Sequence, residues 1–215
     1  MANSCLQLCG FVLSCLGWIG TVIATATNDW VFLCKYSLVI CRKMEELGIK
    51  GPWSECFFSS GVYHCTPFSQ ILELPVYIQM TRALMVTGSI LGLLAVGLLL
   101  MSMPCIRLGN EDTASKNRRT AVGGIFVFIV GVCGSVSTVW FPIGVHPSES
   151  LMSFGFSLYA GWAGAVLSLL GGAILMCCSS SSSRQYRDGK NLYYSKAGME
   201  AAKPTSSTHA KSAHV

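Results

Sequence analysis

Polar and apolar positions do not alternate along this chain; they segregate. Long uncharged stretches are separated by shorter segments that hold almost all of the charge. Four stretches, about 6–26, 83–104, 121–141 and 156–178, contain no Asp, Glu, Lys or Arg. A helix needs about 20 mostly apolar residues to cross the hydrocarbon core of a bilayer. Each stretch meets that length, and inside lipid each must be helical, because an unpaired backbone group would find no water there. Glycine is dense in them: Gly88, Gly92 and Gly97, then Gly123, Gly124, Gly131 and Gly134, then Gly161, Gly164, Gly171 and Gly172. Small residues let helix backbones approach closely, the main source of packing where the solvent is as apolar as the side chains. The predicted architecture is a mostly α membrane protein with four transmembrane helices in one domain over 1–178.

The intervening segments read differently. In the loop at about 27–82, the runs Trp30–Tyr36, Trp53–Ser60 and Gly61–Cys65 are short, aromatic and β-branched, and separated by Gly or Pro, the pattern of antiparallel strands. Gln70–Met80 (QILELPVYIQM) reads as a short surface helix interrupted by Pro75. Two further loops fall at about 105–120 and 142–155. The tail at 179–215 opens on five serines and continues polar and basic, which predicts disorder.

Charge then fixes an orientation. Basic residues concentrate on the cytoplasmic side of a membrane protein. Here Arg107, Lys116, Arg118 and Arg119 lie between spans two and three, and Arg184, Arg187, Lys190, Lys196, Lys203 and Lys211 lie in the tail. The first loop holds four (Lys35, Arg42, Lys43, Lys50) and the third none. Loops one and three are therefore expected outside and both termini in the cytoplasm. Ala24-Thr25-Ala26 resembles a signal-peptidase site, but the basic n-region is missing and the apolar run is long, so the first span is expected to be retained. Composition agrees: 52% of the residues are hydrophobic and 12% charged, against about 25% charged in globular domains.

Candidate chemistry is sparse. No Asp, Glu, Lys, Arg or His lies deep in a span, whereas proton relays and midplane substrate sites use them; pump and transporter readings are disfavoured. No nucleophile–base arrangement, P-loop or dinucleotide fingerprint is present, so neither an enzyme nor a cofactor is expected, nor a nucleic-acid partner. His64 and His146 lie in different loops without a third ligand, and no CxxC pattern suggests zinc. Cys56 and Cys65 lie outside with a Ser59-Ser60-Gly61 turn between them, a spacing suited to a bridge across two adjacent strands in an oxidising compartment. Closing so short a loop is worth about 2–3 kcal/mol. Cys34 and Cys41 are candidates for a second bridge. Cys105, Cys177 and Cys178 sit at cytoplasmic span ends, where S-palmitoylation occurs and packing is the alternative role.

Trp30, Gly51-Pro52-Trp53, Cys56 and Cys65 match in order and spacing the W…GLW…C…C signature of the claudins, with Pro52 where Leu is usual. Arg82-Ala83-Leu84, Pro104-Cys105-Ile106-Arg107 and Phe154–Trp162 (FGFSLYAGW) extend the resemblance to about Cys178. It implies a left-handed four-helix bundle topped by a small extracellular antiparallel sheet, in a plasma-membrane protein of the tight junction. It also implies partners: other copies and other claudins, within one membrane and between cells, besides membrane lipid. In lateral assembly Phe68, Ile71 and Leu72 would dock into a neighbour's second outer loop, here Phe141, Pro142 and Leu151. The end Ala213-His214-Val215 has the apolar terminal residue that PDZ domains capture by strand addition. Position −2 is Ala rather than Ser or Thr, yet the resemblance favours scaffolds of the zonula occludens type. Family members form either barriers or charge-selective pores. From Asp29 to Gln79 this chain has four basic and five acidic residues, and cation-pore members place Asp after the second signature cysteine where this chain has Thr66. A structural barrier protein is the expectation. The competing readings are a paracellular ion channel and an auxiliary channel subunit like the related gamma proteins.

Overall fold

A helix without a charged face has no amphipathic pattern to direct its packing, so the distribution of small residues decides which helices meet. The computed structural model describes residues 2–34, 48–59, 62–70, 74–103, 113–146 and 151–201. The elements run α1 (Ala2–Ala26), β1 (Val31–Cys34), β2 (Gly48–Lys50), β3 (Ser54–Ser59), β4 (Val62–Pro67), α2 (Val76–Ser102), α3 (Thr113–Val145), β5 (Leu151–Phe154) and α4 (Phe156–Ala201). Four helical segments are long and apolar enough to cross a membrane: Cys5–Ala26, Val76–Ser102, Ser115–Val145 and Phe156–Ser181. They form a bundle in which α4 packs on α1 and α3, and α2 packs on α3 and more lightly on α1.

The α1–α4 contact is a seam of small residues. Gly10, Ser14, Gly17, Thr21 and Ala24 are the buried positions of α1, spaced four and three apart, and face Gly161, Gly164, Ser168 and Gly171. A Cβ on Gly164 would stand 2.8 Å from the Gly17 carbonyl oxygen and 2.9 Å from the Thr21 nitrogen. The two backbones touch there, and nothing larger than hydrogen fits. The hydroxyls on this seam serve their own helix, Ser14 Oγ donating to the Gly10 carbonyl (2.7 Å) and Thr21 Oγ1 to that of Gly17 (3.1 Å). The α1–α2 contact uses the opposite solution, a large side chain in a notch: the Trp18 ring lies against Gly92 and its Nε1 donates to the Ser89 carbonyl at 2.9 Å. At the end away from the sheet, Asn117 Nδ2 donates to the Ser179 carbonyl while Ser179 Oγ donates to that of Asn117, both at 2.9 Å, fastening α3 to α4.

The sheet is antiparallel throughout, in the order β4-β3-β2-β1-β5. The strand readings around Trp30, Trp53 and Gly61 correspond to β1, β3 and β4. The three-residue β2 and the four-residue β5, which joins the third loop to the first by pairing Leu151 with Cys34 and Phe154 with Val31, lack the alternation that marks a strand in sequence. Three boundaries differ from expectation. Val76–Met80 is not a separate helix but the first turns of α2, because Pro75 precedes it with φ −54° and supplies its carbonyl to the nitrogens of Ile78 and Gln79. After the sequence boundary at Phe141, α3 continues through Pro142 to Val145; a helix between packed neighbours tolerates the missing donor. The fourth helix continues to Ala201, past the expected span end at Cys178, through residues expected to be disordered. No proline interrupts it before Pro204.

Two clusters of buried side chains mark the ends of the bundle. Trp30, Val31, Leu33, Ile78, Met85, Phe141 and Leu158 lie at the sheet end, and Ala95, Leu99, Val127 and Leu175 toward the other. The seam yields a prediction. Gly164→Leu forces α1 and α4 apart and costs at least the 1–3 kcal/mol typical of core overpacking. A clear fall in the thermal midpoint of the detergent-solubilised protein is expected; an unchanged midpoint would show that the helices do not meet there.

Candidate functional site

The sheet is useful only if it is held rigidly against the bundle, and the residues that hold it lie between Thr25 and Trp30. Helix α1 ends at Ala26, and four residues later the Trp30 side chain turns back into the bundle, where it is completely buried. Its ring meets Phe141 edge-on at 5.0 Å between centroids, and Phe141 meets Tyr77 in the same manner at 5.8 Å. A buried indole needs a partner for its N–H; Trp30 Nε1 donates to the Ala24 carbonyl at 2.9 Å. The Trp30 carbonyl accepts from the Gly155 nitrogen (2.8 Å) and the Asp29 carbonyl from that of Ser157 (3.2 Å), so the start of α4 is bonded to the chain leaving α1. A Cβ at Gly155 would strike the Asp29 carbonyl.

Asn28 does the equivalent work for the far side of the sheet. Its Oδ1 accepts from the backbone nitrogens of Trp53 (3.2 Å) and Ser54 (3.1 Å), while its Nδ2 donates to the carbonyl and hydroxyl of Ser54, both at 2.8 Å. One amide thus replaces a strand partner for the turn between β2 and β3. Gly51 lies against Asn28 so closely that any side chain would overlap it. Beside this turn Trp53 Nε1 donates to the Thr25 carbonyl at 2.6 Å, and Arg82 Nε donates to that of Pro52, also at 2.6 Å. The Arg82 guanidinium lies 5.1 Å from the centre of the Trp53 ring and 5.8 Å from that of Phe68, a geometry worth about 0.5–2 kcal/mol depending on desolvation. What the structure uses at position 52 is a carbonyl, which proline supplies as well as leucine does.

Cys56 and Cys65 stand opposite each other on β3 and β4 and are disulfide-bonded, with Cα atoms 4.0 Å apart. Cys34 at the end of β1 is disulfide-bonded as well, and Cys41, its expected partner, lies outside the described residues. The register aligns Phe154, Val31, Lys50, Glu55 and Thr66 in one row across all five strands, on one face of the sheet. Lys50 and Glu55, neighbours in that row, form an ion pair at 3.7 Å. Thr66 Oγ1 donates to the Glu55 carbonyl at 3.2 Å. The next row brings together Met152, Leu33, Gly48, Phe57 and His64, of which Phe57 and His64 are exposed.

This constellation of two tryptophans, a close-approach glycine, a bridged hairpin and an arginine from the second span is matched by a family description. The model of the PMP-22/EMP/MP20/Claudin family matches residues 4–175. The chain belongs to that family. Human "Claudin-11" is 47% identical over 215 residues, the full length of both chains, and the rat protein of the same name is 46% identical over the same span. Mouse "Claudin-7" is 36% identical over 214 residues, covering 93% of this chain and 99% of its own. The first-loop text CRK…ELG…YHC and the end Thr208–Val215 resemble the oligodendrocyte-specific claudin of myelin, in keeping with these relatives. Family membership and the four apolar helices make the chain a multi-pass membrane protein of the claudin tight-junction type.

The structure distributes the other expected site residues unevenly. Phe141 and Pro142 are not in the second loop but inside α3 and buried, Phe141 beneath Trp30, so neither offers surface to a neighbouring chain. Phe68 is half-buried against Arg82 and the sheet-end core. Leu151 opens β5, paired with Cys34. Cys177 is exposed and Cys178 half-buried near the end of the apolar part of α4. Ile71, Leu72, Cys105, Ala213, His214 and Val215 lie outside the described residues. Asn28 is the functional residue that sequence reasoning passes over. It resembles any polar residue after a span, and its partners are 25 and 26 positions away. Asn28→Ala leaves two backbone donors of the turn unpaired, at about 1–3 kcal/mol each where buried. Limited proteolysis should then cut near Trp53 well before wild type; unchanged protection would remove Asn28 from the anchor.

Proposed function

We propose that this claudin polymerises within and between membranes into a tight-junction barrier, with the sheet outside the cell and both termini in the cytoplasm. The observation that carries the barrier reading is the row Lys50–Glu55–Thr66. A selective pore concentrates charge of one sign along its wall. Here the described acid of that row is compensated by the lysine on the next strand, and the position after Cys65 carries a neutral hydroxyl. Lateral contact through the segment Phe68–Leu72 against a neighbour's second loop fits Phe68, which lies at the rim of the sheet, with Leu151 and not Phe141 or Pro142 on the receiving side. The division into a membrane domain over 1–178 and a cytoplasmic extension over 179–215 belongs to the same proposal, as do palmitoylation at Cys105, Cys177 or Cys178 and capture of Val215 by PDZ scaffolds. Deleting Val215 should abolish co-localisation with such a scaffold at junctions; persistent co-localisation would exclude that contact.

Expression in a leaky epithelial monolayer should raise transepithelial resistance and lower sodium permeability. Thr66→Asp sets an unpaired carboxylate directly opposite Glu55 and should raise sodium permeability relative to chloride several-fold over wild type. A sodium-selective rise with the wild-type chain would overturn the barrier reading in favour of a channel.

A further inference from the structure

At the end of the bundle away from the sheet, residues of α2 and α3 line an open cavity of about 340 Å³: Leu98, Ser115, Arg118, Arg119 and Val122. Its composition is unlike that of the rest of the bundle surface. Leu98 and Val122 form an apolar, half-buried wall, and one turn beyond them two arginines and a hydroxyl close the end. Ser115, Arg118 and Val122 lie on one flank of α3, and Arg119 stands one turn before Gly123, which with Val127 packs against Leu99 and Ala95. Leu93, Leu94, Leu100 and Met101, the neighbouring side chains of α2, are exposed, so the cavity opens onto the surface that faces lipid in a spanning bundle.

We infer that this cavity binds the phosphate headgroup of an anionic phospholipid in the leaflet that borders the end of the bundle away from the sheet. Three observations select that occupant. The charged side chains among the described lining residues are both arginines, and guanidinium groups match phosphate oxygens bidentately. The apolar wall lies where the glycerol and first acyl carbons of a lipid would follow the headgroup. The opening is to lipid, not to the bundle interior. Basic pockets between transmembrane helices on the cytoplasmic side hold anionic headgroups in this way. A soluble phosphate would use the arginines alone and leave Leu98 and Val122 without a role. This inference rests on the membrane orientation proposed above for its choice of leaflet, and on the cavity itself for its ligand class.

The test uses the full-length protein released from nanodiscs of phosphatidylcholine containing a minor fraction of phosphatidylinositol 4,5-bisphosphate, with retained lipid counted by native mass spectrometry. Wild type should retain one anionic lipid. Arg118→Gln with Arg119→Gln should lower retention at least tenfold, whereas Arg184→Gln with Arg187→Gln, which removes equal charge further along α4, should not. Leu98→Trp fills the cavity while keeping both arginines, and should lower retention to a similar degree; it serves if the arginine variant does not fold. Retention at the wild-type level in the two cavity variants would overturn the site. Equal loss in the α4 variant would reduce it to general charge attraction and also overturn it. Soluble inositol trisphosphate competing as well as the lipid would assign the cavity to a free phosphate and overturn the lipid. The measurement involves no junction, so its failure leaves the barrier reading untouched, and a failed permeability result leaves the cavity untouched.

Discussion

The burial of Trp30 beneath the sheet is the contact from which the remaining geometry follows. This one residue follows the end of the first span, fills the top of the bundle against Phe141, and accepts at its backbone carbonyl from Gly155, just before α4. Removing a fully buried tryptophan typically costs 3–5 kcal/mol, a large part of the stability of a domain this size. Here the loss would fall on five elements at once, because α1, α3, β1, β5 and α4 converge on that residue. The sheet is therefore not a loop appended to a bundle; its position is fixed by the same core that orders the helices.

Two packing regimes meet at this junction. Within the bundle, lipid removes the hydrophobic drive between helices, and attraction depends on backbones that touch, as Gly17 and Gly164 do. Above it, the sheet end gains from ordinary apolar burial and from the Asn28 amide, whose oxygen and nitrogen both have specified partners. A covalent clamp, Cys56–Cys65, then holds the β3–β4 hairpin at the edge of the sheet. The division explains why the signature residues are of such different kinds. Trp30 is there for volume, Gly51 for the absence of it, Trp53 for an N–H and a ring face, and Arg82 for a donor that also stacks.

The same division explains what could be read from the sequence. The four spans were legible because charge exclusion acts on every residue of a span, and the Cys56–Cys65 bridge because the hairpin brings close neighbours in sequence together. The strands β2 and β5 were not, being three and four residues long and defined by partners far along the chain. Phe141 and Pro142 were assigned to a loop because Pro142 reads as a helix stop in water, whereas in this bundle the helix passes through it. Asn28 was invisible for a third reason: its identity is dictated by a turn 25 residues away. Sequence patterns report interactions that repeat along an element, and they miss those made once.

A sheet fixed to the bundle by a shared core, clamped by a disulfide and with Glu55 compensated by Lys50, suits the proposed barrier unit. On that proposal this chain is itself the unit and needs no second protein to assemble. Freeze-fracture imaging of the chain expressed alone in fibroblasts that lack junctions tests it most directly. Continuous branching strands at cell contacts are the predicted result; scattered particles at the same expression level would contradict it and favour an accessory subunit.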